Sequence, residues 1–113
     1  MPHCIIEYSQ DLEAEVEPLT LVRSVYHGAQ ESGLFSDSDI KVRALAFNHF
    51  STGNLRQDFV HVTVKILSGR NLEQRRKLTQ SILAKLNNLF SKSISLTVEI
   101  AEIEKESYAK SIK

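Results

Sequence analysis

Four residues of this 113-residue chain have types and positions suited to acid–base or anion chemistry: Pro2, Lys41, Arg43 and Arg70. Pro2 follows Met1 and opens the apolar segment Pro2-His3-Cys4-Ile5-Ile6-Glu7-Tyr8-Ser9. An initiator methionine before a small residue is commonly removed, and its removal here would expose a secondary amine. An ordinary α-amino group titrates near pH ~8. In an apolar strand beside fixed cations its charged form is disfavoured, so the neutral amine becomes available as a general base near neutrality. While Met1 is attached, the same nitrogen is an amide and has no such basicity. A proline at the second position is also unremarkable by itself, and its meaning depends on what surrounds it.

Lys41 and Arg43 stand two apart in an alternating segment, so their side chains leave the same face with Cα atoms roughly 7 Å apart. That spacing suits a dianion, and it equally suits a solvated strand face. Arg70 follows Gly69 and precedes Asn71, a good helix N-cap. A guanidinium at such a strand-to-helix junction, next to the unpaired N–H groups of a helix start, suits a carboxylate; an exposed turn arginine is the alternative. His3, His27, His49 and His61 show no metal-ligand spacing and no cysteine partner, so no metal site is expected. His61 reads as a packed, hydrogen-bonded histidine, Cys4 as a small buried hydrophobe, and the basic run Arg75-Arg76-Lys77 as a solvated helix face. The four glycines are too scattered for a phosphate-cradling loop.

These residues must be positioned by one small domain, residues 1–113, which at this size buries roughly two-thirds of its unfolded surface. Fourteen Lys and Arg balance fourteen Asp and Glu. No net field therefore recruits nucleic acid or an anionic membrane, and anion recognition must be local. One cysteine excludes an intrachain disulfide and fits a reducing compartment, with the cytoplasm as the expected location. No stretch approaches the roughly eighteen apolar residues of a membrane span.

Alternation predicts strands over 2–9, 40–50, 59–67 and 94–100, and helical spacing predicts helices over 18–32 and 71–91. Pro18 suits a first helical turn and Gly33 a stop, while Asn71 and Gln74 form a capping-box pair. Residues 11–17 read as an acidic connection and Ser51-Thr52-Gly53-Asn54 as a turn. The tail, 104–113, is charged and is expected to pack against a neighbour or fray. The order β-α-β, β-α-β predicts an α+β fold in which two such units form a four-stranded sheet with two helices on one face. The other face is left bare, with Leu45, Phe47, Phe59 and Leu67 as candidates for it, and oligomerisation is the natural remedy.

With Pro2, the junction Gly69-Arg70-Asn71-Leu72-Glu73-Gln74-Arg75 and the doubled β-α-β order in place, the chain resembles the tautomerase superfamily. The strand Phe59-Val60-His61-Val62-Thr63-Val64-Lys65-Ile66 and the segment Ser32-Gly33-Leu34-Phe35 add to the likeness. The resemblance implies a homotrimer with its sheets facing inward and sites near subunit boundaries. It also implies a cofactor-independent isomerase in which the Pro2 amine moves a proton within an unsaturated keto or enol acid of the 5-carboxymethyl-2-hydroxymuconate type. Arg70, Lys41 and Arg43 would hold the small carboxylate substrate. The family tends to carry an arginine pair where this chain has Lys41-Val42-Arg43, and a lysine lacks the two-pronged contact. Two other readings stand beside this one: a non-catalytic ligand-binding or assembly-forming trimer of the same fold, and a small regulatory domain binding amino acids between subunits.

Overall fold

A computed structural model describes residues 1–53 and 57–113, so Asn54 of the predicted turn lies outside the described residues. The elements run β1 (His3–Ser9), α1 (Pro18–Glu31), β2 (Lys41–Phe47), β3 (Phe59–Leu67), α2 (Leu72–Asn87) and β4 (Ser95–Ile103). They form one sheet in the order β2-β1-β3-β4. β1 runs parallel to β2 and antiparallel to β3, and β3 runs parallel to β4. Each parallel pair is joined through a helix, as such pairs require. The expected α+β fold is thus present, with the two β-α-β units meeting along the antiparallel β1–β3 seam.

Alternation decides which face each side chain takes. Cys4, Ile6, Tyr8, Val60, Val62, Val64 and Ile66 point to one side and are buried. The helices meet them there with Leu21, Val25, Ala29, Leu78, Ile82 and Leu86, also buried. Burying side chains of this size stabilises by about 1.5–3 kcal/mol each, before ordering costs are subtracted. On the opposite face lie His3, Ile5, Glu7, Lys41, Arg43, Leu45, His61, Thr63, Lys65, Thr97 and Glu99, none of them buried. Leu45 is 57% exposed there, so one face of the sheet is bare in the single subunit.

The helix ends follow the residues that were expected to set them. Pro18 opens α1, and at its end the Ser32 hydroxyl donates to the Ala29 carbonyl at 2.6 Å while Gly33 takes φ +73°. That left-handed step favours glycine. At α2 the Gln74 N–H donates to Asn71 Oδ1 at 2.8 Å and the Asn71 N–H donates to Gln74 Oε1 at 3.0 Å, a complete capping box. Asn71→Ala removes one acceptor and is expected to lower the unfolding free energy by about 1 kcal/mol, read by urea titration with an unchanged m-value.

The helices approach closely at Gly28, which is buried and faces Ile82. A Cβ placed on Gly28 would stand 2.7 Å from the Ile82 Cα, a contact that real structures do not make. The Ser81 hydroxyl donates to the Gly28 carbonyl at 2.7 Å across the same crossing. Residues 11–17 are more ordered than an acidic connection suggests. Gln10–Ala14 forms a 3-10 turn whose Leu12 is fully buried, held by the Glu15 and Val16 N–H groups donating to the Leu12 carbonyl.

Candidate active site

The register gathers the chemistry-bearing residues at one end of the sheet. His3 lies opposite Lys41 on one side and Lys65 on the other, and the Lys41 N–H donates to the Pro2 carbonyl at 3.1 Å. Pro2 therefore immediately precedes β1, one of the two inner strands, and is flanked by the start of β2 and the end of β3. By the alternation of β1 it shares the helix-covered side with Cys4 and Ile6, and it is buried. Lys41 and Arg43 project to the bare face. The structure thus brings Pro2 and Lys41 to the same end of the sheet and places their side chains on opposite faces.

With Met1 in place, the chain's amine donates to the Asp39 carbonyl at 3.1 Å, and Lys41 Nζ donates to the same oxygen at 3.2 Å. Partial burial is the main force pulling the amine below its usual value of 8.0, followed by the Lys41 charge. Asp39 opposes that shift, Lys110 adds to it, and Cys4 opposes it weakly. The surroundings at this end of the sheet thus disfavour the charged form of an amine relative to a free chain terminus. Cys4 is not a competing nucleophile, because burial pushes its thiol up to about 12.

Arg70 stands at the same end on the β3–α2 junction. The turn that delivers it uses Gly69 at φ +121°, and the Ser68 N–H donates to the Ile103 carbonyl at 2.9 Å. Its Nη2 donates to the Leu34 carbonyl at 2.9 Å, and its guanidinium carbon lies 5.3 Å from the centre of the Phe35 ring. These are the guanidinium's only described polar and ring partners, which leaves N–H groups for a ligand. The arrangement fixes the charge between the segment after α1 and the start of α2, where a carboxylate would also meet the α2 N-terminus.

Arg43 lies one row further along the bare face, opposite Ile5. Its Nη1 donates to His3 Nδ1 at 3.3 Å, while His3 Nε2 and the Tyr108 hydroxyl are 2.9 Å apart. Burial and then the Arg43 charge lower the His3 pKa, so the ring is neutral and accepts at Nδ1. His61 is hydrogen-bonded as expected, to Thr97 and Glu99 on β4, and it lies on the bare face far along the sheet from Pro2. Among the described residues no group of three or more His, Cys, Asp or Glu side chains is placed to hold a metal ion, and no helix is long and apolar enough to cross a membrane.

Sequence reasoning did not single out Asp39, Lys65, Tyr108 or Lys110. Lys65 could have been found, since it alternates with the buried residues of β3 and so had to share a face with Lys41. Asp39 works through its backbone carbonyl, and the tail residues carry no periodic signal.

The sequence profile of the 5-carboxymethyl-2-hydroxymuconate isomerase family matches residues 2–112. The chain is 27% identical over 110 residues to the 5-carboxymethyl-2-hydroxymuconate Delta-isomerase of Escherichia coli, covering 91% of this chain and 87% of that one. A crystal structure of a 5-carboxymethyl-2-hydroxymuconate delta-isomerase superposes with TM-score 0.86 at 17% identity, covering 100% of this chain and 89% of its own. A fused 4-OT, a symmetric trimer, superposes with TM-score 0.75 at 10% identity over 96% of this chain and 90% of its own.

Proposed function

This chain belongs to the 5-carboxymethyl-2-hydroxymuconate isomerase family and is an isomerase of the tautomerase superfamily, and from that premise we propose that Pro2, once Met1 is removed, is its general base. The observation that carries the reading is the position of Pro2: a buried residue immediately before the inner strand β1, at an end of the sheet where the pKa of the Met1 amine is lowered. The neutral amine takes a proton from the carbon next to the carbonyl of an unsaturated keto acid. The electron pair left behind spreads into a dienolate, and the same proton returns from the ammonium to a carbon further along the conjugated system. One proton moves within one molecule, so the reaction calls for no cofactor.

The negative charge of the dienolate and of the substrate carboxylates is met by fixed cations, which act most strongly where water is excluded. Arg70 is the best placed of these, since packing on Phe35 and one bond to Leu34 already orient it. Lys41 Nζ shares the Asp39 carbonyl with the Met1 amine at the same end of the sheet, and Arg43 extends the cationic surface on the bare face. A homotrimer burying the three bare faces against one another would cover Leu45 and place the sheet end beside a neighbouring subunit, in keeping with the symmetric trimer among the structural neighbours.

The direct test is ketonisation of a 2-hydroxymuconate-type dienol by protein whose intact mass shows that it begins at Pro2. Arg70→Ala is expected to raise KM for a dicarboxylated dienol by about tenfold to 100-fold, the value of a hydrogen bond to a charged group. Arg70→Lys should recover only part of the loss, because a lysine makes one contact where the guanidinium makes two. A second reading, a non-catalytic trimer, is favoured for any chain that keeps Met1. There the Pro2 nitrogen is an amide and the chain's amine is tied to Asp39. Protein beginning at Pro2 that leaves the dienol at its background rate would decide for that reading.

A further inference from the structure

The last residues of the chain reach the end of the sheet where it begins. β4 and β2 are the two outer strands, so a tail leaving β4 must cross three interstrand spacings, about 14 Å, to arrive at the entrance of β2. It does so. Lys105–Ser107 makes one 3-10 turn, closed by the Tyr108 N–H donating to the Lys105 carbonyl, and this turn redirects the chain. Tyr108 then reaches His3 on the central strand, with its hydroxyl 2.9 Å from Nε2 and the two rings edge to face at 6.3 Å between centroids. Two residues later, Lys110 Nζ stands 3.5 Å from Asp39 Oδ1, immediately before β2.

Both anchors lead to the groups around Pro2. His3 is the residue after Pro2, and its Nδ1 accepts from Arg43, so the Tyr108 contact fixes the ring that Arg43 leans on. Asp39 supplies the carbonyl that holds both the chain's amine and Lys41, so the Lys110 contact fixes the residue on which the site's entrance is built. Tyr108 is half-buried, whereas the rest of the tail is exposed, with Ile112 at 81%. Tyr108 and Lys110 thus tie the tail to His3 and Asp39 by one ring contact and two polar ones. The charged and titratable groups acting on the Met1 amine, one residue from the Pro2 nitrogen, are Lys41 and Asp39 from the β2 entrance, Lys110 from the tail and Cys4 from β1.

We propose that the C-terminal tail completes the amine site of its own subunit: Tyr108 is a positioning residue for His3 and, through it, Arg43, and Lys110 is a positioning residue for Asp39 that sets a cation beside the start of the chain. The inference rests on Pro2 as the base and extends it to residues at the far end of the sequence.

The test uses full-length protein beginning at Pro2, labelled with 15N-proline, so that the terminal amine can be titrated by NMR without any turnover. Removing a cation raises an amine's pKa, so Lys110→Ala is expected to move the midpoint upward by about half a pH unit, with Lys110→Arg returning it. Tyr108→Phe is expected to raise KM for a dicarboxylated dienol by about fivefold to tenfold with kcat within about twofold, the pattern of a lost positioning contact to a binding group. An unmoved midpoint overturns the role of Lys110, and an unmoved KM overturns that of Tyr108. The outcome is separable from that for the base itself: full activity in Pro2→Ala would remove the base, while the amine titration would still report on the tail.

Discussion

Replacing Pro2 by alanine, in protein shown by intact mass to begin at residue 2, is expected to lower kcat/KM for a dienol acid by about 100-fold. A positioned general base contributes about 10²- to 10⁴-fold. The low end applies because alanine leaves a primary amine at the same end of the strand. What is lost is the ring that fills the buried position just before β1 and holds the nitrogen in one orientation. The pH profile carries the sign. Only the neutral amine accepts a proton, so kcat/KM should fall as pH drops through the amine's pKa. In the untrimmed chain, burial and Lys41 pull the Met1 amine at this end of the sheet below its usual 8.0, and the same surroundings are expected to pull the Pro2 amine down. Steady-state kinetics between pH 5 and 9, with matched thermal melts, separate lost chemistry from lost stability. Unchanged kcat/KM in the variant would remove Pro2 from the mechanism.

The largest expected effect on stability is at Gly28. Gly28→Ala forces a methyl group to within 2.7 Å of the Ile82 backbone, where no side-chain rotation gives relief. The helices must separate, and the Ser81 bond to the Gly28 carbonyl must lengthen with them. Overpacking of this kind costs about 1–3 kcal/mol, and an immovable backbone partner places the expected value near the top of that range. An exposed helix position would show the opposite sign, because alanine is a better helix former than glycine. Denaturant titration of the single variant decides it, and a loss below about 0.5 kcal/mol would mean that α1 and α2 slide apart more easily than their packing suggests.

Much of the fold was legible because the patterns in this chain are strong where burial is one-sided. β3 alternates without interruption, and its predicted bounds, 59–67, are those observed. Pro18, Gly33 and the Asn71–Gln74 pair marked three helix ends through local chemistry that needs no tertiary partner. Leu12 was hidden because a 3-10 turn has no period to read, and its neighbours Asp11 and Glu13 made the segment look solvated. The antiparallel meeting of β1 and β3 was not legible at all, since strand pairing is a property of two distant segments and leaves no mark in either.

The site shows the same division. Pro2 and Arg70 stood out because one is unusual chemically and the other sits in a recognisable junction. That Lys41 and Arg43 share the bare face could not be chosen from β2 alone, where Leu45 and Phe47 follow them on the same side. It took the β1 register, which sets His3 against Lys41 and Ile5 against Arg43. The contacts of Tyr108 and Lys110 bridge 105 and 71 positions of sequence, through side chains on a tail with no regular pattern.

The central place of β1 also sets a deadline for maturation. A ribosome releases the N-terminus first, yet β1 has neither neighbour until β2 and then β3 emerge, some forty to sixty residues later. At about 5–20 residues per second that leaves a few seconds in which the first peptide bond is an open, unpaired substrate. Afterwards the bond lies against a buried proline, with the methionine's amine occupied by Asp39. On the proposal that Pro2 is the base, trimming is expected on the nascent chain, and the fraction of competent protein would be decided by a race between an aminopeptidase and strand pairing.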